Sequence, residues 1–517
     1  MSQGFRPRNA ILPPLEATQG AVWNRSRHVS HSEEVLVRES PETRETKNGR
    51  SKEAVALLAA ARAVLENRAF TDAAQAILDA CMTILGADAG LVAVCAAGGK
   101  DLEVALLDPG SLELDAAGLP APLRRLCARS AKSGRTLFAN DLAKGAAGAL
   151  ALVASEFYGN PSSAHSFGGQ VAEKVTQARE QVAALLGARP GEIIFTSGGT
   201  ESDNAAIRSA LAAYPEKRHI VTSPVEHPAV RSLCHTLAKQ GYRVTEGPVN
   251  GQGELDMELY AGSLTPETAI VSLMWANNET GVLFPIEKAA EMAKGKGILF
   301  HTDAVQAVGK VPIHLRDTAV DMLSLSGHKL HSPKGIGVLY ARTGLKFVPT
   351  FIGGHQERNR RAGTENTPAI IGLGKACELA LARMEEKRTK VMPLRDKLEK
   401  GVLAKIPHTQ VNGGAVPRLP NTSNISFEFV EGESILLSLD AEGICASTGS
   451  ACSSGSLEPS HVLLAMGLTP TTAQGSVRFS LSAYNTEEEI DYVLEKLPPI
   501  IERLRSMSPL WKAGRHG

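Results

Sequence analysis

The sequence predicts an α/β fold built on a mainly parallel sheet, and three observations support this prediction. From about residue 155, short apolar runs alternate with helical patterns along the chain. Those runs are bounded by glycine or polar loops, as strands are when helices cover both faces of the sheet. The chain also has 48 glycines and 28 prolines, which suit the many tight loops of such a fold.

Composition limits the classes of protein to which the chain can belong. At roughly 150 residues per domain, 517 residues predict about three domains. The 55 basic and 55 acidic residues cancel, which argues against a polybasic nucleic-acid binder. No apolar run reaches the ~20 residues of a membrane span, and the N-terminus has no apolar signal segment. The seven cysteines are scattered and odd in number, so we expect reduced thiols and a cytoplasmic protein. Because the charges balance and no apolar run spans a membrane, we expect neither nucleic-acid nor membrane partners.

The N-terminal part is predicted to contain a leader and a small module. Residues 1–52 are polar and without hydrophobic period, and we expect them to be disordered. Residues 53–147 show two helical patterns, at 55–65 and 73–85, and then two strand-like runs, at 91–95 and 102–107. This order resembles the start of a GAF domain, a ligand-sensing or structural α+β module, and it looks truncated at its C-terminal side.

The remaining chain is predicted to form a large domain at 155–385 and a smaller α+β domain at 386–517. In the large domain we predict helices at 171–186, 201–213 and 229–239. The strands predicted between and after them are 192–196, 219–223, 242–249, 269–275, 298–302, 322–325 and 337–340. In the smaller domain, long amphipathic helices accompany strands at 424–429 and 476–481.

Polar residues that follow the strands indicate a ligand site, because ligands of such sheets bind beyond the carboxyl ends of the strands. After strand 192–196 comes Ser197-Gly198-Gly199-Thr200, which opens a helix. Glycines allow close backbone approach, and a helix N-terminus favours an anion such as phosphate. A simple capped helix start explains the same residues equally well.

A lysine follows strand 322–325, within the sequence Ser326-Gly327-His328-Lys329. Partial desolvation at a strand end would lower the pKa of Lys329 and make it a Schiff-base nucleophile. The alternative is a solvated loop charge, but Ser326 and His328 beside it could both donate to a phosphate. A metal pair of His328 and His331 is a weaker interpretation, because no carboxylate or cysteine lies near them in sequence.

Other strands end in residues that complete a pyridoxal phosphate site. Asp303 could keep a pyridine nitrogen protonated, which turns the ring into an electron sink. His227 could stack on such a ring or move protons, and Asn278 could bond a ring hydroxyl. Each residue alone is a weak indication, but together they provide every part that the cofactor needs.

Eight ordered motifs between residues 155 and 511 resemble the cysteine desulfurases, closest to the nitrogen-fixation type. These enzymes are fold-type-I pyridoxal phosphate transferases. The motifs begin at Glu156, Thr196, Asn277, His301, Ser326, Arg361, Ser447 and Val477, and include Ser447-Thr-Gly-Ser-Ala-Cys452 and Arg361-Ala-Gly-Thr-Glu-Asn366. The family begins with a short strand and a turn rich in Asp, Asn, Ala and Thr beside the active site. That segment is absent here, and residues 145–154 and the GAF-like module stand in its place.

The resemblance implies a role for each matching residue. Lys329 carries the cofactor, Asp303 holds the ring nitrogen, and His227 stacks on the ring and handles protons. The remaining cofactor ligands are Gln306 and Asn278 at the ring oxygen, and Gly199, Thr200, Ser326 and His328 at the phosphate, with Thr364 supplied by the partner subunit of a homodimer. Arg478, with Asn278, binds the carboxylate of the substrate, as a planar bidentate donor can.

Cys452 is implied to be the sulfur acceptor. Its neighbours in Ser447–Gly455 are small and polar, as in a mobile loop, whereas Cys234 and Cys377 lie on helical patterns and suit a core. L-Cysteine would then give L-alanine and a persulfide on Cys452, for iron–sulfur cluster assembly, with an iron–sulfur scaffold protein as sulfur acceptor and nitrogenase maturation as its purpose. Cys452 could also be a transient iron–sulfur ligand through the persulfide. Two alternatives stay open: another fold-type-I pyridoxal phosphate enzyme, such as an aminotransferase, or a regulatory or catalytically impaired fusion protein.

Overall fold

The computed structural model describes residues 90–95, 102–108, 159–449, 458–509 and 511. The chain divides into two compact units, residues 1–119 and 120–517. In the first unit, strands β1 (Gly90–Cys95) and β2 (Leu102–Asp108) form an antiparallel pair, at the two places where the sequence predicts strands. The predicted leader, the two helices of the GAF-like module and the join at 145–154 lie outside the described residues.

The second unit contains a seven-stranded sheet in the order β3-β9-β8-β7-β6-β4-β5. Strand β9 is antiparallel to both of its neighbours, and the other adjacent pairs are parallel, so the predicted mainly parallel sheet is confirmed. The strands are β3 (Ile193–Thr196), β4 (His219–Thr222), β5 (Arg243–Glu246), β6 (Thr268–Ser272), β7 (Leu299–Asp303), β8 (Met322–Ser326) and β9 (Gly337–Ala341). All except β5 and the first residue of β7 are buried throughout, as expected for a sheet covered on both faces.

Helices cover this sheet. They are α1 (Ser166–Leu186), α2 (Gly199–Ala213), α3 (Pro228–Lys239), α4 (Met257–Ser263), α5 (Ile286–Gly295) and α6 (Thr367–Ala382). Helix α1 begins ahead of the predicted residue 171, because Nδ1 of His165 accepts a hydrogen bond from the Gly168 amide at 3.1 Å and caps the first turn. Its apolar stripe, on which the prediction depended, starts only at Val171.

Helices α1 and α6 pack closely through a glycine. A Cβ atom placed on Gly374 of α6 would lie 2.5 Å from the Cα atom of Ala178 on α1. Gly169, on the first turns of α1, has open space at the same position. The close approach of the two helices therefore requires a glycine at 374 and not at 169.

An irregular segment connects β9 to α6 and is anchored to β3. Glu357, Arg358 and Asn359 have consecutive positive φ angles of 47°, 58° and 63°. The carboxylate of Glu357 accepts hydrogen bonds from the guanidinium of Arg179 at 2.8 and 2.6 Å, and from the Phe195 amide at 3.1 Å. These bonds stabilise a backbone conformation that is unfavourable for residues with side chains.

The C-terminal part has its own sheet and core. Strands β10 (Thr409–Val411), β11 (Thr422–Phe427) and β12 (Ser476–Ser480) form an antiparallel sheet. The helices are α7 (Met384–Glu386), α8 (Met392–Lys405), α9 (Gly432–Asp440), α10 (His461–Ala465), α11 (Pro470–Gln474) and α12 (Glu487–Met507), with a π-turn at Lys387–Val391 between α7 and α8. Strand β11 ends before the predicted residue 429, and Phe429 has a positive φ of 70°. The boundary predicted between residues 385 and 386 stays a prediction.

Candidate active site

A cavity of about 170 Å³ lies beyond the carboxyl ends of the parallel strands. Every predicted cofactor ligand except Thr364 lines it, together with the predicted substrate ligand Arg478. The lining residues are Gly199, Thr200, Asp203, His227, Met274, Ala276, Asn278, Asp303, Val305, Gln306, Ser326, His328, Lys329 and Arg478. The fold thus brings together residues that are almost 280 positions apart in the sequence.

One end of the cavity is suited to a phosphate group. Gly198, the N-cap residue of α2, has no side chain to cap the helix, so the first amides of α2 can bind an anion. Gly199 is buried, and a Cβ atom there would lie 2.8 Å from Cγ2 of Val305. Ser326 and His328 contact each other through a 2.8 Å hydrogen bond between Oγ and Nδ1. This end therefore offers main-chain amides and a hydroxyl–imidazole pair.

Asp303 ends strand β7 and is buried within the cavity. Its Oδ1 atom accepts a hydrogen bond from the Val305 amide at 2.9 Å. Burial raises the pKa of Asp303 to about 6, although the Val305 amide and the charge of Lys329 both oppose the rise. A cationic ring nitrogen beside this carboxylate would favour its ionised form.

A second carboxyl group, on Asp203, lines the same cavity, and the sequence analysis did not single it out. Asp203 follows Gly199 by one helical turn on α2, and its side chain is 1% exposed. Burial raises its pKa well above the usual value, and the charge of Asp303 adds to this effect. Nε2 of the buried His301 lies 3.6 Å from its Oδ1, and burial lowers the pKa of His301 to about 3. Burial therefore favours the neutral forms of Asp203 and His301, and of the two neighbouring carboxyl groups Asp303 has the smaller rise in pKa.

His227 is held in one orientation by the helix that follows it. It is the N-cap residue of α3, and its Nδ1 atom accepts a hydrogen bond from the Ala229 amide at 3.2 Å. Burial lowers the pKa of His227, and the positive charges of Lys329 and His461 lower it further. A neutral imidazole that accepts at Nδ1 carries its proton on Nε2. His227 can therefore stack on a ring and donate a proton from Nε2.

Arg478 on β12 is positioned by two main-chain contacts. Its guanidinium donates to the carbonyl oxygen of Asn278 at 2.8 Å. Its own backbone pairs with Ser447 in both directions, with N···O distances of 3.2 and 2.6 Å. Ser447 lies on the segment that leads to Cys452, which lies outside the described residues together with the rest of 450–457.

Glu279 contacts the residues on both sides of this undescribed stretch. Its Oε2 atom accepts a hydrogen bond from Oγ of Ser460 at 2.5 Å. A Cβ atom on Gly449 would lie 2.8 Å from the same oxygen. Burial raises the pKa of Glu279. Glu279 follows the predicted ligand Asn278 in the chain, but a sequence pattern does not show what a buried acid contacts.

The two helical cysteines are core residues, as the sequence predicts. Cys234 on α3 and Cys377 on α6 are buried, and burial raises the pKa of each thiol to about 12. Thiols with such pKa values stay protonated at neutral pH and are poor nucleophiles. Cys445, in contrast, is exposed.

Thr364 is exposed and does not line the cavity of its own subunit. The neighbouring Arg360 and Arg361 contact the protein. The guanidinium of Arg360 donates to the carbonyls of Gly191 and Ile193 at 2.8 and 3.3 Å, and that of Arg361 binds Glu201 at 2.9 Å. In the described part of the chain, no three His, Cys, Asp or Glu side chains are placed to hold a metal ion. Within the same residues, no helix is long and apolar enough to cross a membrane.

The sequence profile of class-V aminotransferases matches residues 148–493, which include the whole cavity. The chain belongs to the class-V aminotransferase family. Among members of this family, it is 61% identical over 355 residues to a cysteine desulfurase of Trichormus azollae, a match that covers 69% of this chain and 89% of the relative. It is 60% identical over 358 residues to the cysteine desulfurase NifS of Azotobacter vinelandii, with the same two coverages.

Solved structures of the family have the same fold. A NifS-like protein superposes with a TM-score of 0.65 at 37% identity, covering 72% of this chain and 98% of its own. DndA from Streptomyces lividans superposes with a TM-score of 0.59 at 36% identity, covering 67% and 99% respectively. The predicted fold-type-I architecture is thus confirmed for this member of the family, whereas the matches do not test the GAF-like module.

Pyridoxal phosphate is the cofactor of these enzymes, and the residues of the cavity fit it. The uncapped amides of α2 suit its phosphate, and the lysine at Lys329 suits its aldehyde. Burial disfavours the ionised form of the Asp303 carboxyl group, and a protonated pyridine nitrogen beside it would offset that penalty. The donor set of this cavity therefore agrees with the predicted cofactor.

Proposed function

We propose that this chain is a cysteine desulfurase, which removes sulfur from L-cysteine and gives L-alanine and a persulfide on Cys452. The observation that carries the proposal is the cavity in which Lys329, Asp303 and Arg478 meet, in a chain about 60% identical to cysteine desulfurases. When bound, pyridoxal phosphate would supply an electron sink for the carbon atom that carries the substrate amine.

The residues of this chain would bind the substrate and move its protons. The Arg478 guanidinium would bind the cysteine carboxylate, beside Asn278, whose carbonyl it already contacts. The Lys329 amine would remove the Cα proton, since it lines the cavity at the end of β8. His227 would stack on the ring and donate from Nε2, because Nδ1 is engaged by the Ala229 amide.

Sulfur transfer would then depend on the Cys452 thiolate. It would attack the substrate sulfur, so that an S–S bond forms and the C–S bond breaks. The electron pair of the broken bond returns to the substrate carbon, which takes up a proton and leaves as alanine. An iron–sulfur scaffold protein is the proposed acceptor of the persulfide sulfur, and Cys452 could serve as a transient cluster ligand. The 60% identity to NifS supports nitrogenase maturation as the purpose. We expect a cytoplasmic location.

We propose in addition that the enzyme is a homodimer. Thr364 is exposed and outside its own cavity, where it could complete the phosphate site of a second subunit related by a two-fold axis. Light scattering of cofactor-loaded, active protein should give the mass of two chains. An active monomer would contradict this arrangement.

The desulfurase function is tested by the products of the purified full chain with L-cysteine. We expect alanine and, with a thiol reductant, equal amounts of sulfide. Cys452→Ser should keep the visible absorbance of the cofactor and lose at least 100-fold in alanine formation. The matched control is Cys445→Ser, which removes an exposed thiol from the same segment and should keep the wild-type rate.

The same assay separates the alternatives. Alanine formation by Cys452→Ser near the wild-type rate would favour another fold-type-I enzyme, such as an aminotransferase. Wild-type protein that binds no pyridoxal phosphate and forms no alanine would favour a regulatory or impaired fusion. The latter alternative is supported by the start of the family match at residue 148, after the GAF-like module.

A further inference from the structure

A second cavity, of about 360 Å³, adjoins the cofactor cavity and shares five lining residues with it: Asn278, Gln306, His328, Lys329 and Arg478. Its outer part, which we call the basic cavity, is defined by five residues with a basic side chain: Lys310, His331, Lys375, Arg383 and Lys387. Among the described residues that line this space, none is an aspartate or a glutamate. The concentration of positive charge in a concave site is a signature of anion binding.

The five residues of the basic cavity come from separate segments of the fold. Lys310 follows β7, and His331 follows the 3₁₀ turn Gly327–Leu330 at the end of β8. Lys375 lies on α6, Arg383 lies at its C-terminal end, and Lys387 is the first residue of the π-turn. Such π-turns are rare and occur often at functional sites. A solvated helix face, by contrast, would take its charges from one helix.

Burial and mutual repulsion both act on the basic groups of this cavity. Burial lowers the pKa of Lys310 to about 7, and the charges of Lys329, Lys387 and Arg478 contribute. Burial also lowers the pKa of His331, with contributions from Lys387 and Lys310. Two carboxylates lie outside the lining: Glu378 pairs with Lys375, and Glu386 lies beside Lys387 in the chain. A bound anion would therefore offset the repulsion that remains.

Neutral polar residues also line the cavity, and two of them already donate within the protein: the Asn421 amide to the Leu481 carbonyl at 3.2 Å, and the Ser482 hydroxyl to Oδ1 of Asn485 at 3.4 Å. Asn421 and Thr422 at the start of β11, and Ser480 and Ser482 at the end of β12, line it. Tyr484 packs edge-on against His331, with 5.6 Å between the ring centroids. Hydroxyl and amide groups facing several cations form a donor set for carboxylate or phosphate oxygens.

We propose that the basic cavity binds a small polyanion, one that carries two or more carboxylate or phosphate groups. This site is distinct from the position of the substrate carboxylate at Arg478. The basic cavity is connected to the cofactor cavity by Lys310, whose Nζ atom donates a hydrogen bond to Oε1 of Gln306 at 2.8 Å. The inference goes beyond the desulfurase function and does not depend on it, because it concerns binding alone.

The experiment is calorimetric titration of the full-length, cofactor-loaded protein with citrate and, separately, with inorganic pyrophosphate. We expect at least one of them to bind with a Kd of about 1 mM or below and to weaken as salt is added. The tighter of the two identifies the preferred oxyanion. The double variant Lys375→Gln/Lys387→Gln should weaken this binding at least tenfold, and Lys375→Gln alone should weaken it by a smaller factor.

Two control variants test whether binding depends on the residues of the basic cavity. Arg388→Gln removes an exposed charge next to Lys387 that pairs with Glu385 and lies outside the cavity lining, and it should change the Kd less than twofold. Arg478→Lys should change it less than threefold, since the proposed ligand does not need the substrate site. The proposal is overturned if neither anion binds at 10 mM, or if Arg388→Gln weakens binding as much as the double variant. It is also overturned if Arg478→Lys abolishes binding while the double variant preserves it.

Discussion

His227 combines two tasks that substitution can separate. Its Nδ1 atom caps α3 through the Ala229 amide, and its ring lines the cofactor cavity. Asparagine is a favourable N-cap residue but has no ring to stack. We expect His227→Asn to keep the melting temperature within a few degrees and to lower kcat by roughly 10²–10⁴-fold, as for the loss of a positioned acid–base group. Thermal melting and alanine formation measure the two effects.

The comparison with alanine makes this separation testable. His227→Ala should lose the same activity and, in addition, about 1 kcal/mol of stability with the helix cap. If Asn and Ala destabilise the protein equally, the cap contributes nothing. If His227→Asn retains the wild-type kcat, neither stacking nor proton donation by this ring matters to the reaction.

Glu226 should make the stability of the cofactor-free protein depend on pH. Burial raises the pKa of its carboxyl group to about 8, and the charges of Asp303 and Glu246 add to the rise. Hydrogen bonds from the Ser223 hydroxyl and the Met274 amide oppose the rise. The folded state keeps this proton up to about pH 8, whereas the unfolded state releases it near pH 4.5. The stabilisation is therefore complete below pH 4.5 and is lost as the pH rises through 8.

Glu226→Gln cannot ionise, so its stability should not show this contribution. The free energy of unfolding of the variant minus that of the wild type should rise by a few kcal/mol from pH 5 to pH 9, measured by urea unfolding at each pH. Glu267→Gln, at an exposed carboxylate paired with Arg243, serves as the control and should follow the wild type. A pH profile of Glu226→Gln parallel to that of the wild type would show that Glu226 is ionised in the folded state.

The sequence predicts the residues of the site better than their electrostatic partners. Lys329, Asp303 and His227 follow predicted strands, so strand periodicity places them at one edge of the sheet. Asp203 lies one helical turn after Gly199 on α2, and Lys310 lies four residues after Gln306 in the turns that follow β7. Only the three-dimensional structure shows that both face the cavities. Burial, which decides their protonation, depends on packing between segments far apart in the chain and has no local pattern.

At the scale of elements, the contact between α1 and α6 depends on the missing side chain of Gly374. Gly374→Ala would place Cβ within 2.5 Å of Cα of Ala178, and overpacking of this kind costs roughly 1–3 kcal/mol. Gly169→Ala on α1 meets no atom within 4 Å and should gain up to about 1 kcal/mol from helix propensity. Chemical denaturation of both variants should therefore give free-energy changes of opposite sign, and changes of equal sign would contradict the packing argument.

Element boundaries show where sequence patterns stop being informative. Most strands of the large sheet contain a short apolar run, and the structure has each strand within a few residues of the prediction. The starts of α1 and α2 come earlier than predicted, because capping by His165 and the glycines 198 and 199 decides them, and these residues have no hydrophobic period. The antiparallel direction of β9 depends on its pairing with β3 and β8, which no run of apolar residues reveals.

At the scale of the whole molecule, the N-terminal region should be dispensable for cofactor binding. The family match begins at residue 148, and the described residues that line the cavity start at Gly199. A chain of residues 148–517 should bind pyridoxal phosphate to the same stoichiometry as the full chain, measured by absorbance after denaturation. A large drop in cofactor content would mean that residues 1–147 replace the strand that the family has there, and the modular interpretation would then be wrong.

The consecutive positive φ angles at residues 357–359 have a consequence for the order in which the protein folds. An isolated segment does not favour this backbone, since a positive φ is unfavourable for each of these residues until other contacts stabilise it. The contacts that hold it come from Arg179 and Phe195, which are 178 and 162 positions away from Glu357. Closing loops of that length costs entropy before any contact compensates for it. We therefore expect the segment that joins β9 to α6 to acquire its native backbone only after α1 and β3 are in place, late on the folding pathway.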